Sequence, residues 1–252
     1  MTAQPDIRIT HETQWSDDAA TLLQQISDQA VRLRGRFLLA LSGGSTPQRL
    51  YRTLTQSEWK QRMDWRHTAF LFGDERCVPP DHTESNYAMA QAALFQPLGI
   101  GPDHIYRMKG EDQNPSSAAR AYEETVRMVT KCPPPAIPQL DLVCLGLGED
   151  GHTASLFPGT AALQDQTHLV AVGRAPKGVT LRLTLTLGVI NRASVILFLV
   201  TGSTKARMVR RVLEPQSTAD RQLPAALVKP DQGRLIWLLD QPAGSELTSI
   251  RR

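Results

Sequence analysis

Residues 139–159 read Gln-Leu-Asp-Leu-Val-Cys-Leu-Gly-Leu-Gly-Glu-Asp-Gly-His-Thr-Ala-Ser-Leu-Phe-Pro-Gly. The first part, Leu140 to Leu145, is short and apolar, which is typical of a strand buried in a sheet. Three glycines follow and allow backbone angles that other residues rarely adopt. Asp150 and His152 lie in this turn, beyond the strand's carboxyl end, where open α/β sheets bind ligands. An acid and an imidazole so placed can face one cleft, so the stretch predicts a functional site.

Three further apolar segments end in comparable turns: Phe37–Leu41 in Ser42–Thr46, Thr68–Phe72 in Gly73–Arg76, and Val195–Val200 in Thr201–Lys205. Strands that alternate with helical segments predict an α/β fold with a doubly wound, mainly parallel sheet and helices on both faces. We expect one domain over residues 1–252. The carboxyl ends of parallel strands meet at one edge, so the four turns should line a single crevice.

Two of these turns predict an anion site. Ser42–Thr46 joins a buried strand to a helix, so its backbone N–H groups converge at a helix N-terminus. The alternative is an ordinary Gly-Ser turn; a Walker P-loop is excluded because its closing Gly-Lys-Ser/Thr is missing. Lys205 falls in the first turn of a helix, where a cation opposes the helix dipole. A bound anion explains Lys205 better than stability does, although a solvated surface lysine is the alternative.

Several other segments give weaker predictions. Arg182–Val189 alternates with threonine and favours a strand, but a helix from Thr184 to Asn191 is equally open. A helix is expected from Glu84 to Leu94, capped by Thr83. Ala226–Lys229 is expected to be a strand near the end of the chain. Three charged side chains in Gly73–Arg76 would cost free energy if buried at a strand end, unless they are solvated, form ion pairs or bind a ligand.

The composition is that of an ordinary soluble globular protein. Of 252 residues, 41% are hydrophobic and 21% are charged, and the net charge is +3. This charge is too small to predict a nucleic-acid partner, but it is compatible with a small anionic substrate. No apolar run is long enough to cross a membrane, and no signal peptide is recognisable. The three cysteines contain no CxxC pair, so we expect reduced thiols, no zinc site and a cytoplasmic location.

The motifs together resemble those of the 6-phosphogluconolactonase family. The segments that carry the resemblance are Leu41–Pro47, Gly73–Pro79 with Ser85–Tyr87, Gly146–Gly159, Arg174–Lys177, Arg182–Thr186 and Gly202–Lys205. It extends from about residue 10 to residue 240. The resemblance implies hydrolysis of 6-phosphoglucono-1,5-lactone in the oxidative pentose phosphate pathway, on a modified Rossmann-like fold without a dinucleotide, other cofactor or metal. It also implies a phosphorylated sugar lactone as the partner, no nucleic acid or membrane, and a monomer or small homo-oligomer.

The resemblance also implies residue roles. His152 is the expected general base and Asp150 its neighbour, with Arg76 and Asp74 in the same site. An imidazole suits this role because its ordinary pKa lies near neutrality. Whether Arg76 faces the oxyanion or the phosphate stays open, because the N–H groups of the glycine turn are competing oxyanion donors. The residues expected to bind the substrate or its phosphate are Ser42, Gly43, Gly44, Ser45, Thr46, Asp74, Arg174, Arg182 and Lys205.

Three alternatives remain. The related glucosamine-6-phosphate deaminases share the Asp-Gly-His turn but carry a Glu where this chain has Phe157, and a Tyr where it has Arg76. Phe157 cannot exchange protons, which favours the lactonase; we expect it to pack under the turn with Leu156 or Pro158. The second alternative is a metal-dependent hydrolase, which would need more metal ligands than Asp150 and His152.

The third alternative is a non-catalytic sugar-phosphate sensor. No Ser or Cys has a nucleophile-elbow context, so attack by water is favoured over an acyl-enzyme.

Overall fold

The computed structural model describes residues 4–248, and within them nine strands form two sheets. The strands are β1 (Asp6–Thr10), β2 (Phe37–Leu41), β3 (Thr68–Phe72), β4 (Asp74–Arg76), β5 (Leu142–Leu145), β6 (Val170–Arg174), β7 (Leu181–Leu185), β8 (Val195–Val200) and β9 (Arg234–Asp240). Six of them form a sheet in the order β1-β9-β8-β5-β2-β3, in which every neighbouring pair is parallel. The other sheet is antiparallel, in the order β4-β7-β6. The predicted mainly parallel α/β fold is confirmed.

Helices connect these strands in the described residues. They are α1 (Trp15–Arg34), α2 (Ser45–Leu54), α3 (Ser57–Lys60), α4 (Asn86–Ala90), α5 (Gln96–Leu98), α6 (Pro115–Thr130), α7 (Ala161–Gln164), α8 (Leu187–Arg192), α9 (Ala206–Leu213), α10 (Thr218–Arg221) and α11 (Gln241–Gly244). A π-helical segment, Gln91–Phe95, joins α4 to α5. Short 3₁₀ helices span Trp65–His67, Pro102–His104, Ser203–Lys205 and Pro224–Leu227. None of the helices described is both long and apolar enough to cross a membrane.

The centre of the parallel sheet explains its apolar sequence. Every residue of β2, β5 and β8 is buried, so neither face of these strands meets water. Strands buried on both faces are continuously apolar rather than alternating, which is the pattern that made them recognisable. One hydrophobic cluster includes these strands together with residues of β6 and β7 from the antiparallel sheet.

Local predictions fared unevenly. The alternatives for 182–189 are each half right, because β7 ends at Leu185 and α8 begins at Leu187. The cap at Thr83 is wrong: the Ser85 hydroxyl accepts the Ala88 N–H at 3.1 Å. The strand at 226–229 is also wrong, because the N–H groups of Ala226 and Leu227 both bond locally to the carbonyl oxygen of Leu223. A local helical turn therefore replaces the strand there.

Asp141 joins the start of β5 to two neighbouring elements. Its buried carboxylate accepts the Leu38 N–H at 2.7 Å and pairs with Arg34 Nη2 at 2.6 Å. Its own N–H donates to the Leu38 carbonyl oxygen at 3.1 Å. A single side chain thus fixes the strand that leads into the glycine turn against β2 and the end of α1.

We predict that Asp141→Ala lowers the free energy of unfolding by about 1–3 kcal/mol, because it leaves a buried N–H without an acceptor. Asp6→Ala is the matched control, since Asp6 forms an ion pair with Arg8 at 2.8 Å that is about two-fifths exposed. Exposed pairs contribute about 0–1 kcal/mol. Urea unfolding measures both variants, and equal losses would contradict the structural role of Asp141.

Candidate active site

The glycine turn after β5 brings Asp150 and His152 into contact. The Gly148 N–H donates to the His152 carbonyl oxygen at 2.8 Å, and the Gly151 N–H donates to the Gly148 carbonyl oxygen at 3.1 Å. Gly151 has a φ of +82°, a left-handed conformation that favours glycine. The turn folded in this way places His152 Nδ1 2.5 Å from Asp150 Oδ1. The backbone N–H of His152 donates to the same oxygen at 3.1 Å.

Gly148 is required by this contact rather than by its own backbone angles. A Cβ atom at position 148 would lie 2.0 Å from His152 Nδ1 and 2.7 Å from Asp150 Oδ1. Both distances are far below van der Waals contact, so any side chain at 148 displaces the imidazole or the carboxylate. The second glycine of the turn therefore makes room for the His–Asp pair.

The electrostatics of the pair favour an ionised Asp150. Burial raises the pKa of this carboxyl, but the His152 backbone N–H and the imidazole outweigh burial, so the pKa lies below its ordinary value. The imidazole is one-third exposed and its ring centroid lies 4.4 Å from that of Phe157. Phe157 is buried and packs directly against the histidine. The prediction named Leu156 or Pro158 as the neighbours of Phe157, whereas the structure puts its ring directly against the imidazole of His152.

Asp74 lies on β4 and is held by two residues that the sequence reasoning did not select. Its Oδ2 accepts the Ser155 hydroxyl at 2.6 Å, and its Oδ1 accepts Asn86 Nδ2 at 3.2 Å. Asn86 also packs against Gly43, where a Cβ atom would lie 1.9 Å from the Asn86 Oδ1. Asn86 therefore connects the turn after β2 to the carboxylate of β4. The Ser85–Tyr87 motif contained this signal, since it was part of the resemblance.

Arg76 and Arg182 face each other across the antiparallel sheet. They are register partners in the β4–β7 pair, and the Nε of each is buried without a hydrogen-bond partner among the described residues. Arg76 also donates from Nη1 to the Glu84 carbonyl oxygen. Burial lowers the pKa of Arg182, and the charge of Arg76 lowers it further. Like charges directly opposite each other destabilise a strand pair, so this arrangement favours a bound anion.

Glu75 lies between Asp74 and Arg76 and has a structural position. Its buried carboxylate accepts the N–H groups of Asn86 and Tyr87 at 2.7 and 2.8 Å, together with the Ser85 hydroxyl at 3.0 Å. Burial raises the pKa of this carboxyl, and these hydrogen bonds partly offset the effect. Glu75 thus fixes the start of α4 against β4. Of the three charged residues in Gly73–Arg76, Glu75 therefore has a structural role, and Asp74 and Arg76 line the cavity.

The turn between β2 and α2 forms a second part of the site. Gly44 has a φ of +101° and precedes α2, whose first residues are Ser45 and Thr46. The Tyr51 hydroxyl accepts the Ser42 N–H at 3.0 Å and donates to the Ser42 carbonyl oxygen at 2.8 Å. Thr46 Oγ1 lies 2.8 Å from Thr201 Oγ1, which links this turn to the one after β8.

The four predicted turns line adjoining cavities that share Lys205. The largest cavity, of about 580 Å³, is lined by the predicted residues Asp74, Arg76, Asp150, His152, Arg182 and Lys205, and also by Lys177. A second, of about 220 Å³, is lined by Ser42, Gly43, Gly44, Asp74, Arg76, His152 and Lys205. A third, of about 140 Å³, is lined by Gly43, Gly44, Ser45, Thr46 and Lys205, among others. Arg174 is exposed at the end of β6 and lines none of these three cavities.

Metal ligation is not apparent in the part of the chain that the structure describes. No group of three or more His, Cys, Asp or Glu side chains there is arranged to hold an ion. Asp150 and His152 bind each other, and Asp74 is occupied by Ser155 and Asn86. The donor set of the largest of these cavities is therefore one imidazole, three carboxylates (Asp74, Glu149 and Asp150) and several cations, which suits proton transfer on an anionic ligand.

The chain is similar to known proteins over most of its length. Residues 10–237 match the family described as glucosamine-6-phosphate isomerases/6-phosphogluconolactonase. The chain is 41% identical over 221 residues to the 6-phosphogluconolactonase of Nostoc sp., covering 88% of this chain and 89% of that protein. It is 40% identical over 219 residues to the 6-phosphogluconolactonase of Synechocystis sp., covering 87% and 88%.

A solved structure shows the same similarity in three dimensions. The 6-phosphogluconolactonase from Trypanosoma cruzi superposes with a TM-score of 0.87 at 30% sequence identity, covering 98% of each chain. The similarity in sequence and in fold therefore extends over nearly the whole chain. The chain belongs to the glucosamine-6-phosphate isomerase/6-phosphogluconolactonase family.

Proposed function

We propose that this chain hydrolyses 6-phosphoglucono-1,5-lactone to 6-phosphogluconate, the second step of the oxidative pentose phosphate pathway. The observation that carries the proposal is the contact between His152 Nδ1 and Asp150 Oδ1, 2.5 Å long, at a cavity lined by Arg76, Arg182 and Lys205. The relatives named 6-phosphogluconolactonase support the same reaction. We further propose one domain over residues 1–252, acting in the cytoplasm as a monomer or small homo-oligomer without cofactor or metal.

The His–Asp contact supports His152 as the general base. An ionised Asp150 accepts a hydrogen bond from Nδ1–H, and this tautomer leaves Nε2 with a lone pair. Nε2 takes a proton from water as the water oxygen attacks the lactone carbonyl carbon, and a tetrahedral oxyanion forms. The bond to the ring oxygen then breaks, and the imidazolium returns its proton to that oxygen. The products are a carboxylic acid and a hydroxyl group, and the imidazole is neutral again.

The cations divide between two roles in this proposal. Arg76 lines both cavities that His152 lines, which supports a role for its guanidinium in stabilising the oxyanion that forms beside the base. In this proposal Ser45, Thr46 and Lys205 bind the phosphate group. The smallest cavity has the N-terminus of α2 and the Lys205 ammonium group in its lining, whereas His152 does not line it. Arg182 adds positive charge opposite Arg76.

The base is tested by His152→Ala, which should lower kcat on the order of 10²-fold or more, since a positioned base contributes ~10²–10⁴-fold. His168→Ala is a matched control. His168 Nδ1 lies 2.9 Å from Asp165 Oδ2, so it forms a similar pair, but it lines none of the three site cavities. Rates are followed by acid release in a pH-stat above spontaneous hydrolysis. Wild-type turnover by a folded His152→Ala protein would remove His152 from the mechanism.

The phosphate site is tested by Lys205→Ala, which should raise KM for the phosphorylated lactone about 10- to 100-fold. This corresponds to the loss of one charged hydrogen bond, about 1.5–3 kcal/mol. KM for unphosphorylated gluconolactone should hardly change, if that substrate turns over at all. Lys60→Ala, at an exposed lysine outside these cavities, is the control. Equal effects of Lys205→Ala on both substrates would exclude a phosphate contact.

The choice between lactonase and deaminase depends on Phe157. A deaminase must move protons to an amine, to the ring oxygen and between carbons, whereas Phe157 presents only a ring packed on His152. We therefore predict no measurable ammonia from glucosamine 6-phosphate, with clear acceleration of lactone hydrolysis by the same preparation. Ammonia release above that of a His152→Ala control would reverse the assignment.

The other two alternatives have their own tests. If neither substrate reacts, a sugar-phosphate sensor becomes the better proposal. If EDTA abolishes lactone hydrolysis, the metal-dependent hydrolase is favoured.

A further inference from the structure

Asn86 is the first residue of α4, and its buried side-chain amide has a fixed orientation. Its Nδ2 donates to the Asp74 carbonyl oxygen at 2.9 Å and to Asp74 Oδ1 at 3.2 Å. A backbone carbonyl oxygen can only accept a hydrogen bond, so the amide nitrogen must face Asp74. The amide oxygen consequently faces the other way, towards the turn between β2 and α2.

Gly43 in that turn is a glycine because of this oxygen. Gly44 has a φ of +101°, whereas Gly43 is not in the left-handed region and needs no unusual backbone angle. A Cβ atom at position 43 would lie 1.9 Å from Asn86 Oδ1 and 2.5 Å from Asn86 Cγ. No side chain fits at these distances, so the turn leaves its space at 43 to the amide of Asn86.

The Asn86 amide oxygen accepts no hydrogen bond from the residues that the structure describes. The amide nitrogen bonds to Asp74 and the backbone N–H to Glu75, but nothing donates to Oδ1. In that part of the chain, the side-chain atoms that are fully enclosed and also lack a partner belong to Ser16, Ser27, Arg76, Arg182 and Trp237. Asn86 Oδ1 is not one of them, so this unpaired oxygen keeps access to open space.

The open space beside Asn86 is the cavity of about 220 Å³, which this residue lines. The cavity shares Gly43 and Gly44 with the smallest one, to which we assigned the phosphate. It shares Arg76 and His152 with the largest one, which holds the base. A lactone with its phosphate at one end and its carbonyl carbon at the other therefore places its ring here, with the hydroxyl groups on carbons 2, 3 and 4.

We propose that Asn86 determines specificity for the sugar ring, because its Oδ1 accepts a hydrogen bond from one ring hydroxyl of the lactone. The inference rests on the proposed lactone hydrolysis and adds a contact with a part of the substrate that neither reacts nor carries charge. One amide thus binds the hydroxyl through its oxygen and holds Asp74 through its nitrogen. An amide suits this place, since a carboxylate would repel the phosphorylated substrate. A substrate without the hydroxyl would leave the buried oxygen unpaired.

The 2-deoxy, 3-deoxy and 4-deoxy forms of the phosphorylated lactone test this contact. Each is made by oxidising the corresponding deoxyglucose 6-phosphate, and its hydrolysis is followed above the spontaneous rate. With the unmodified chain, kcat/KM for one of the three should be at least about tenfold lower than for the parent lactone. The lactone that loses this rate identifies the hydroxyl that Asn86 binds.

Asn86→Ala should remove this discrimination. Loss of the hold on Asp74 lowers the rate with every lactone, so the informative quantity is the ratio of kcat/KM between the parent and the deoxy lactone. The ratio should fall from at least about tenfold to about threefold or less, because the hydroxyl then has no partner to lose. A purely structural role of Asn86 would lower all rates and leave the ratio unchanged.

Asn191→Ala is the matched control. The Asn191 amide is also used at both ends, since Nδ2 donates to the Leu227 carbonyl oxygen at 3.3 Å and Oδ1 accepts the Lys229 N–H at 2.8 Å. Asn191 lines none of the three site cavities, so its removal should leave the ratio as it is in the unmodified chain.

Gly43→Ala is the second variant, which decides the question if Asn86→Ala does not fold. Its methyl group displaces the Asn86 oxygen but leaves the residue in place, so the ratio should fall here too. Circular dichroism identifies the folded variants. A chain that does not hydrolyse the parent lactone overturns the proposed function and this inference with it. A chain that does, but treats all three deoxy lactones like the parent or keeps the full ratio in the folded variants, overturns this inference alone.

Discussion

The hydrogen bond between His152 and Asp150 exists because residue 148 has no side chain. The space that a Cβ atom would fill is occupied by the imidazole Nδ1 and the carboxylate Oδ1. The rest of the site is arranged around that contact: β5 delivers the turn to the edge of the sheet, and Asp141 holds β5 against β2. On the far side, the Gly151 carbonyl oxygen accepts the Ala225 N–H at 3.0 Å, so the turn is fixed at both ends. An imidazole held in this way is already oriented before a ligand binds.

Charge placement follows from the small antiparallel sheet. The β4–β7 register puts the guanidinium groups of Arg76 and Arg182 opposite each other, while Glu75, the residue before Arg76, turns inward to bind the start of α4. The two like charges lie together, with the Nε of each arginine buried and unpaired among the described residues. The carboxylates of Asp74, Glu84 and Glu75 offset part of the repulsion at Arg182, and an anion bound in the cavity would offset more of it. The register of two short strands therefore sets how strongly this part of the cavity attracts negative charge.

The sequence predicted the strands at the centre of the parallel sheet but not β4 of the antiparallel sheet, for a physical reason. Strands buried on both faces are apolar throughout, as in β8. By contrast, β4 is three charged residues, and it is a strand only because β7, more than a hundred residues later, pairs with it. The same holds within the site. The glycine turn could be read locally, but Ser155 bonds to Asp74 across 81 positions, and no local pattern indicates such a contact.

Phe157 decides what can exchange a proton with the imidazole. Its ring lies against His152 and can neither donate nor accept a proton. The imidazole is thus held from two sides, by a carboxylate at Nδ1 and by an apolar ring that packs against it. Packing of this kind restricts how the imidazole can turn without adding a second charge beside it, so its tautomer is governed by the Asp150 contact.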